Sequence, residues 1–459
     1  MRILLINPPW IKRNENVWKN IACVMPPLGL GWMAAVLEKA GHDVAILDAH
    51  AERIDLDHLA GRLDELGRFD MVGITATTAL INNALEIARI IKVHMPQSPV
   101  VLGGVHPTVL PDESLAEPAV DLVVRGEGEQ TILELAGQEP LENIDGISYR
   151  RDGTVCHNPE RTLIEKLDTL PIPAYHLLPM DKYYPAVGAV KRLPAGSMLT
   201  TRGCPGRCTF CYRIFGQRLR VRSGRNVAEE AGFLQEHYGI REICFYDDTF
   251  TIFKKEVRAF CQAVSELKLD LTWVCFSRVD TVDEELLRAM KEAGCHQIMY
   301  GIESANLDIL KNIGKHTDLE QAEETVRITK KVGIDVRAAF MLGNPGETEQ
   351  TMKETLDFAI KLNPDLAIFN VTTPFPGTEM FDWADKNSYL LTKNWDDYDL
   401  AHPVMELPTV SAARVQTFYR RFYRRFFLRP RYILQRLARL RRPVDFVDAW
   451  RALRAVARL

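Results

Sequence analysis

The chain has 459 residues, a net charge of −4 and a hydrophobic fraction of 46 %. This length indicates two or three domains, and the composition excludes a wholly disordered protein. No apolar run approaches the roughly 18 residues of a membrane span, and the amino terminus lacks the pattern of a signal peptide. The nine cysteines are mostly scattered. They favour a reducing compartment over a disulfide framework, so we expect a cytoplasmic protein.

Positive charge is concentrated at the carboxyl end of the chain. Residues 411–459 contain 14 Arg, no Lys and two Asp, which gives this segment a charge of +12 and leaves −16 for the rest. Because the larger part of the chain is acidic, we expect no nucleic-acid partner.

The first 140 residues alternate short apolar runs with helical patterns. This alternation predicts an α/β domain over residues 1–140, with a parallel sheet covered by helices on both faces. Ligands of such sheets bind beyond the carboxyl ends of the strands. The predicted strands are Ile3–Ile6, Val44–Leu47, Met71–Ile74, Val100–Leu102 and Leu122–Val124.

Three further segments follow. Residues 141–195 predict a hairpin and a Pro-rich linker. Residues 196–390 contain six more strand candidates separated by helices, which predicts a partial (β/α)6 barrel of the TIM type. Residues 391–459 predict a helical basic region. The barrel strand candidates are Ser197–Thr201, Glu242–Tyr246, Thr272–Phe276, Gln297–Gly301, Asp335–Leu342 and Leu366–Val371.

The most informative stretch directly follows the first barrel strand and carries Cys204, Cys208 and Cys211. Three thiolates on one loop can hold a soft metal centre. A cubane iron–sulfur cluster usually takes four cysteines, so three would leave one iron open for another ligand. The alternatives are a zinc site, for which no fourth ligand has the usual spacing, and unrelated buried thiols.

With this spacing, and with Phe210 before the third cysteine, the stretch resembles the radical S-adenosylmethionine (SAM) superfamily. The resemblance implies that Cys204, Cys208 and Cys211 are catalytic and hold a [4Fe–4S] cluster whose open iron chelates SAM. It also implies one-electron cleavage of SAM to a 5′-deoxyadenosyl radical that abstracts hydrogen. The electron would come from a low-potential donor such as flavodoxin or ferredoxin.

Polar residues at the ends of the later barrel strands fit the same family. A zwitterionic nucleoside needs acceptors for its ammonium and ribose groups and a cation for its carboxylate. We assign Glu303 and Ser277 to the ribose or ammonium group, and Arg278 to the carboxylate. An alternative for Asp247 and Glu347 is that they cap the following helices. The full set of candidate SAM contacts is Phe210, Tyr212, Asp247, Ser277, Arg278, Glu303 and Ser304.

The first domain resembles the cobalamin-binding Rossmann-like domain that precedes the radical barrel in a large subfamily. Its glycines would let the backbone lie close to a planar ring, and its threonines could bond a nucleotide tail. The cobalt-ligating motif Asp-x-His-x-x-Gly is missing after the first strand, so we expect no histidine ligation from it. For His106 we favour a loop-shaping role over cobalt ligation. The candidate contacts are Leu28, Gly29, Thr75, Thr77, Gly103, Gly104, His106, Gly126 and Glu127.

The two resemblances cover roughly residues 1–380. They indicate a cobalamin-dependent radical SAM enzyme similar to the anaerobic magnesium-protoporphyrin ester cyclases and the C- and P-methylases. The implied reaction is methylation of an unactivated carbon, or a radical cyclisation or rearrangement, on a small-molecule or lipid-like substrate. The methylthiotransferases have a second three-cysteine cluster, which this chain lacks. A different alternative is a corrinoid-binding or sensory protein with a non-catalytic barrel.

The basic tail allows two interpretations. Phe418, Phe422 and Phe426 are spaced to form one helical stripe among arginines. In one interpretation this stripe packs on the barrel while the arginines pair with the acidic body. In the other, residues 411–459 attach the protein peripherally to the anionic inner face of a membrane.

Overall fold

The computed structural model describes residues 1–10, 23–186 and 188–437, together with Arg454 and Val456. It contains one sheet of seven strands, one of six strands and a two-stranded ribbon. The predicted α/β architecture, a Rossmann-like domain followed by a partial barrel with a helical carboxyl end, is confirmed. Among the described residues, no helix combines the length and apolar character that crossing a bilayer requires.

Five parallel strands form the centre of the first sheet, in the order β2-β1-β3-β4-β5. Their side chains are almost entirely buried, as expected for strands covered by helices on both faces. The carboxyl ends of these strands therefore lie along one edge, where such sheets bind ligands. The strands are β1 (Arg2–Asn7), β2 (Asp43–Asp48), β3 (Met71–Thr75), β4 (Val100–Gly103) and β5 (Leu122–Val124).

The predicted hairpin consists of β6 (Ile147–Arg151) and β7 (Thr154–His157). It pairs antiparallel with β5, so it extends the first sheet instead of only connecting two domains. The hairpin joins the sheet because this pairing buries Ile147 and Tyr149 in the core beside the helices. Two successive residues of positive φ, Asp152 and Gly153, form the tight turn.

The second sheet is a six-stranded partial barrel in the order β15-β14-β13-β12-β11-β8, and all neighbouring pairs in it are parallel. All six predicted strands are present. The first one ends early, at Met198, and Thr201–Arg202 instead forms β9, which pairs with β10 (Arg220–Val221). The barrel strands are β8 (Ala195–Met198), β11 (Glu242–Phe245), β12 (Thr272–Ser277), β13 (Cys295–Glu303), β14 (Asp335–Leu342) and β15 (Leu366–Val371).

Side chains alternate along the barrel strands between the helical layer and the lumen. On β14, Val336, Ala338 and Phe340 are fully buried in the large core formed with the helices. The intervening residues Arg337 and Ala339 lie outside that core and therefore face the lumen.

Helices of both domains surround these sheets. In chain order we number them α1 to α16. They are Leu28–Lys39, Ala49–Glu52, Leu56–Leu66, Ile81–His94, Val105–Val109, Pro111–Leu115, Glu129–Ala136, Gly224–Tyr238, Lys254–Glu266, Glu284–Glu292, Leu307–Asn312, Leu319–Val332, Glu349–Leu362, Glu379–Lys386, Ala412–Phe427 and Pro430–Leu437.

The aromatic stripe of the tail lies on α15 and packs against the barrel. Phe418, Phe422 and Phe426 are buried, and the Phe422 ring lies 5.0 Å from the ring of Phe369 on β15. The stripe therefore packs on the barrel, as the first interpretation predicted. The predicted pairing of the arginines with acidic residues is observed only for Arg414 among the arginines of this helix, within the described residues. Residues 438–453, 455 and 457–459 of the tail lie outside the described residues.

Candidate active site between the two domains

The three cysteines lie on the loop that joins β9 to β10. A Cβ atom built on Gly206 would lie 3.3 Å from the Sγ atom of Cys204 and 4.0 Å from that of Cys208, so the two thiols turn toward the same side of the loop. The amide of Cys211 donates to the carbonyl of Cys208 over 3.2 Å, which folds the third cysteine back onto the others. Three soft ligands on one compact loop fit an iron–sulfur cluster.

Close backbone contacts hold this loop against the barrel. Gly203 has a φ of +93°, and a Cβ atom there would lie 2.3 Å from the carbonyl oxygen of Arg218. Gly314 has a φ of +64°, and a Cβ atom there would lie 2.4 Å from the carbonyl oxygen of Arg207. Both positions therefore require glycine. The role of Gly314, about one hundred residues after the cysteine loop, comes from the structure alone.

The surroundings of the cysteines disfavour their thiolate form. Desolvation raises the pKa of the half-buried Cys208, and it also raises the pKa of Cys211, although part of that side chain is exposed. The ammonium group of Lys315 opposes both shifts, and Arg278 opposes the shift of Cys208. A bound cluster would supply the positive charge that replaces the thiol protons.

Glu303 and Lys315 form a buried ion pair beside the thiols, with Oε1 and Nζ 3.1 Å apart. The backbone directs Glu303 there by two irregularities, a register shift in β13 after Gly301 and a φ of +69° at Glu303 itself. A Cβ atom on Gly301 would lie 2.4 Å from that carboxylate, so the glycine makes room for the pair. Such strain in a non-glycine residue is typical of functional sites. Lys315 follows a short helix and had no recognisable signal in the sequence.

Arg278 and Ser277 lie near the same group but already have partners. The guanidinium of Arg278 donates to Asp280 over 2.9 and 2.7 Å and still influences the pKa of Cys208. The hydroxyl of Ser277 lies in a buried cluster with Thr251 and Thr281.

Asp247 and Ser304 follow the ends of β11 and β13 and form hydrogen bonds that stabilise loops. Asp247 is buried and accepts hydrogen bonds from the amides of Thr200 and Thr201, at 2.7 and 2.5 Å, so it fixes the chain just before the cysteine loop. The Ser304 hydroxyl lies 3.2 Å from that of Thr355. The other carboxylate oxygen of Asp247, Oδ2, is buried without a hydrogen-bond partner.

Glu347 has a related role. Its carboxylate accepts from the amides of Gly343 and Asn344, at 2.6 and 2.9 Å, whereas the following helix is capped by Thr348. Asp247 likewise holds a loop and caps no helix. The helix-capping alternative is therefore wrong for both residues.

A cavity of about 320 Å³ lies between the two domains. Predicted contacts of both cofactors meet there, namely Thr77 from the end of β3, and Phe210 and Tyr212 from the cysteine loop. The sequence analysis missed most of the other lining residues because they come from distant segments. They are Trp10, Thr78, Ala79, Val105, Phe375, Pro376, Tyr398, Asp399 and Leu400.

The strand ends of the first domain leave space for a large planar ring. A Cβ atom on Gly29 or Gly126 would contact nothing within 4 Å, and one on Gly103 would make only ordinary contacts. Thr77 is exposed in the cavity. These four residues therefore fit a cobalamin that approaches the edge of the sheet. Leu28 is instead buried in the core.

Gly104 and His106 shape the loop after β4. Gly104 has a φ of +99°, and a Cβ atom there would lie 2.7 Å from the carbonyl oxygen of Ala76 and 3.0 Å from the hydroxyl of Thr75. His106 is fully buried, 3.4 Å from the Thr78 hydroxyl. This placement agrees with the loop-shaping role and does not fit cobalt ligation.

Glu127 connects the two domains and faces away from the cavity. Its carboxylate accepts from Arg202 over 3.0 Å and from Arg220 over 2.8 Å, and all three side chains are buried. Arg202 also pairs with Glu129. Because Arg202 and Arg220 lie on β9 and β10, this cluster fixes both ends of the cysteine loop to the first domain. The contacts do not fit a cobalamin ligand.

Comparison with known proteins identifies the family. The chain matches the B12 binding domain over residues 17–136 and the Radical SAM superfamily over residues 198–359. It is 40 % identical over 443 residues to an uncharacterized methyltransferase of Pyrococcus horikoshii, covering 95 % of this chain and 94 % of that protein. The chain belongs to the cobalamin-dependent radical SAM enzymes.

Two further relatives of this radical SAM enzyme have named activities. It is 30 % identical to the anaerobic magnesium-protoporphyrin IX monomethyl ester cyclase of Rubrivivax gelatinosus, covering 92 % of this chain and 77 % of the cyclase. It is 31 % identical to the cytidylyl-2-hydroxyethylphosphonate methyltransferase of Streptomyces wedmorensis, covering 83 % and 80 %. The predicted group, which contains cyclases and methylases, is confirmed.

Solved structures show the same fold. The cobalamin-dependent radical SAM enzyme OxsB, solved with aqua-cobalamin and SAM bound, superimposes with a TM-score of 0.74 at 19 % identity, covering 98 % of this chain and 70 % of OxsB. The methyltransferase TsrM from Kitasatospora setae, with cobalamin and a [4Fe-4S] cluster, gives 0.68 at 20 % identity, covering 86 % and 76 %. The predicted enzyme class and its cofactors, a [4Fe–4S] cluster, SAM and cobalamin, are confirmed.

Proposed function

We propose that this radical SAM enzyme methylates an unactivated carbon of a small-molecule substrate. The observation that carries the proposal is the shared cavity, because Thr77 on the cobalamin side and Phe210 and Tyr212 on the cluster side border the same space. A molecule bound there lies within reach of both cofactors. Methyl transfer is favoured over cyclisation by the 40 % identity, along nearly the whole of both chains, with a relative named as an uncharacterized methyltransferase.

We assign the site residues as follows. Cys204, Cys208 and Cys211 hold the cluster, which supplies the electron for SAM cleavage when it is bound. Beside the thiols, the Glu303 carboxylate accepts hydrogen bonds from SAM and the Lys315 ammonium group donates hydrogen bonds to it. The aromatic walls of the cavity exclude water from the reacting carbon.

Product analysis with deuteromethyl-labelled SAM tests the reaction type. Methyl transfer leaves S-adenosylhomocysteine and hydrogen abstraction leaves 5′-deoxyadenosine, so methylation of an unactivated carbon yields both. We expect both products, and a labelled methyl group in a compound of the cell extract. Formation of 5′-deoxyadenosine alone, with an unlabelled product, would favour cyclisation or rearrangement. Formation of neither would support the corrinoid-binding alternative.

Iron analysis tests the cluster ligands. The anaerobically reconstituted protein should contain about four iron and four sulfide per chain, and replacing Cys204, Cys208 and Cys211 together with Ala should remove them. Replacement of Cys261, Cys275 and Cys295, which are buried among barrel strands and helices, is the matched control and should leave the iron content unchanged. Full iron content in the first variant would refute the assignment.

Cobalamin binding is tested at Gly29, whose side-chain position is open. We expect Gly29→Leu to weaken cobalamin binding because the new side chain would occupy the space at the strand ends. Gly61→Leu is the matched control, since Gly61 is also on a helix with nothing within 4 Å of its side-chain position. Equal cobalamin absorbance in both reconstituted variants would argue against this binding edge.

We further propose that flavodoxin or ferredoxin supplies the electron. Arg207 and Arg218 are exposed on the cysteine loop, where Arg218 also pairs with Glu165, and they offer positive charge to an acidic donor protein. Reduced flavodoxin should support SAM cleavage by the unsubstituted enzyme, and charge reversal at both arginines should slow it without affecting cleavage driven by dithionite. Equal slowing with both reductants would contradict this docking surface.

We also propose peripheral membrane contact through the basic tail. Four arginines of α15 are exposed on the face opposite the buried stripe, and no described carboxylate pairs with them. Co-sedimentation with anionic vesicles should fall when these arginines are replaced with Gln, and neutral vesicles should bind neither form. Equal pelleting of both forms would exclude the contact. The four residues are Arg420, Arg421, Arg424 and Arg425.

A further inference from the structure

The lumen of the barrel is open. Side chains that face it from neighbouring strands keep part of their surface accessible, although they lie in the middle of a sheet that is covered by helices. They are Tyr246, Phe276, Met299, Arg337, Ile368 and Asn370. Three of these six side chains are wholly apolar, Tyr246 adds an aromatic ring, and Arg337 is the one cation among the six.

Arg337 is the third residue of β14 and projects into this lumen. The ionisable groups that act on it are Tyr246, Cys244 and Cys23, a phenol and two thiols. Its Nε atom is buried without a hydrogen-bond partner. Among the residues that the structure describes, no carboxylate pairs with this guanidinium.

Other buried arginines of this protein are paired. Arg202 and Arg220 bind Glu127, and Arg222 binds Glu230 at 2.5 Å. Pairing is the rule because a buried charge without a counter-ion loses hydration and gains nothing in return. Arg337 departs from this rule, because its Nε atom is buried without a partner and no described carboxylate pairs with the guanidinium, so its counter-ion belongs to a ligand that enters the lumen.

A second polar group lies on the same side of the adjacent strand. Met299 pairs in register with Arg337, and Gln297, two residues earlier on β13, faces the lumen as Met299 does. The Oε1 atom of Gln297 is buried without a hydrogen-bond partner. The Nε2 atom of Gln297 donates to the carbonyl of Gly188 over 3.2 Å, so the unsatisfied atom of this amide is its acceptor oxygen.

We propose that Arg337 binds an oxyanion of the substrate, a carboxylate or a phosphonate, inside the barrel. This inference rests on the proposed function, because it assumes that the substrate reacts near the cysteine loop. Five residues separate Arg337 from the end of β14, which is roughly 16 Å of strand. The substrate is therefore elongated and largely apolar, and its anionic end lies remote from the reacting carbon.

Simple amphiphiles test this recognition. Decanoate, decylphosphonate and decanol share one alkyl chain and differ only in the head group. In calorimetric titrations of the cofactor-loaded enzyme we expect one or both anions to bind about tenfold to hundredfold more tightly than decanol, as for hydrogen bonds to charged groups. The preferred anion then identifies the oxyanion.

Variants of Arg337 test whether this residue causes the preference for anionic amphiphiles over decanol. In Arg337→Met the three amphiphiles should bind alike, and Arg337→Lys should retain part of the preference because an ammonium keeps the charge without the planar fork. Arg288→Met removes an exposed arginine and serves as the control. Equal binding of anions and alcohol by the unsubstituted enzyme, or a preference that persists in Arg337→Met, would overturn the inference.

A stability measurement separates recognition from structural support. Arg337→Met removes an uncompensated buried charge, so we expect it to raise Tm while it weakens anion binding. A large fall in Tm would indicate an internal partner and would contradict the inference. SAM cleavage by the unsubstituted enzyme is assayed separately, so failure of the proposed function is distinguishable from failure of the anion site.

Discussion

At the scale of single residues, the site contains a charged side chain, Lys315, whose place beside the cysteines cannot be predicted from the sequence. Cys204, Cys208 and Cys211 are recognisable by spacing, but Lys315 gains its place from the fold. It lies against Glu303 because β13 loses its register and Glu303 adopts a positive φ. Neither irregularity is encoded in the alternation of apolar residues that predicts the strand.

Removal of the Lys315 charge should make the thiols less reactive. Its ammonium group opposes the rise in the pKa of Cys208 and Cys211, so Lys315→Met should raise both values further. We expect the alkylation of these thiols by iodoacetamide in the cofactor-free protein to shift to higher pH, as followed by mass spectrometry. Lys311→Met, on the exposed part of the same segment, should leave the profile unchanged. Identical profiles for all three proteins would contradict the role of Lys315.

Gly104 should be intolerant of a side chain even without cobalamin. Its φ of +99° and the 2.7 Å approach to the Ala76 carbonyl would strain any larger residue. We expect Gly104→Ala to lower the free energy of unfolding by about 1–3 kcal/mol in urea titrations of the cofactor-free protein. Gly29→Ala meets no atom within 4 Å and should change stability by less than about 1 kcal/mol. Equal stability of the two variants would show that the loop relaxes.

At the scale of elements, the ribbon of β9 and β10 couples the cysteine loop to the first domain. Glu127 alone bonds both arginines of the ribbon and also accepts from the amide of Ile164 over 2.7 Å. The Glu129 carboxylate adds a second bond to Arg202, whereas Arg220 has Glu127 as its carboxylate partner among the described residues, so the position of the cysteine loop depends chiefly on Glu127.

Neutralising that carboxylate should destabilise the protein strongly. In Glu127→Gln, Arg220 loses its carboxylate while it stays buried, and breaking such a pair costs about 3–5 kcal/mol. The measurement is the free energy of unfolding in urea. Glu165→Gln removes an exposed pair with Arg218 and should cost at most about 1 kcal/mol. A loss in Glu127→Gln no larger than in the control would refute the coupling.

Strands were predictable at this scale because apolar runs and their spacing are local. Met71–Ile74 and Asp335–Leu342 match β3 and β14 within a residue. The early end of β8 was not predictable from local sequence. The amides of Thr200 and Thr201 bind the carboxylate of Asp247 instead of continuing the strand, and Asp247 lies nearly fifty residues further along the chain. Glu127 was assigned to cobalamin for the same reason, since its partners lie in another domain.

At the scale of the whole molecule, buried carboxyl groups should make stability depend on pH. Burial raises the pKa of Glu347 to about 8 and that of Asp247 to about 6, above the ordinary values for these groups. The folded state therefore binds these protons more tightly than the unfolded state does. Their contribution is complete in acid and is lost as the pH rises toward 8.

Melting curves of the cofactor-free protein test this dependence. We expect Tm to fall by several degrees between pH 6 and pH 9, and Glu347→Gln, which has no charge to bury, should flatten the decline. Glu349→Gln is the control, because Glu349 is exposed and has a lowered pKa beside Arg414. Parallel curves for the unsubstituted protein and Glu347→Gln would show that Glu347 does not titrate in this range.

The cavity between the domains has a consequence for biosynthesis. Its walls are drawn from almost the entire chain, from Trp10 through Thr77 and Phe210 to Leu400. On the ribosome, the first domain can fold while the barrel is still being made, because domains generally fold as units from the amino terminus. The chamber itself closes only after residue 400 has left the exit tunnel. The cavity is therefore complete only after residue 400 has been synthesised, and a chain released before that point lacks part of its wall.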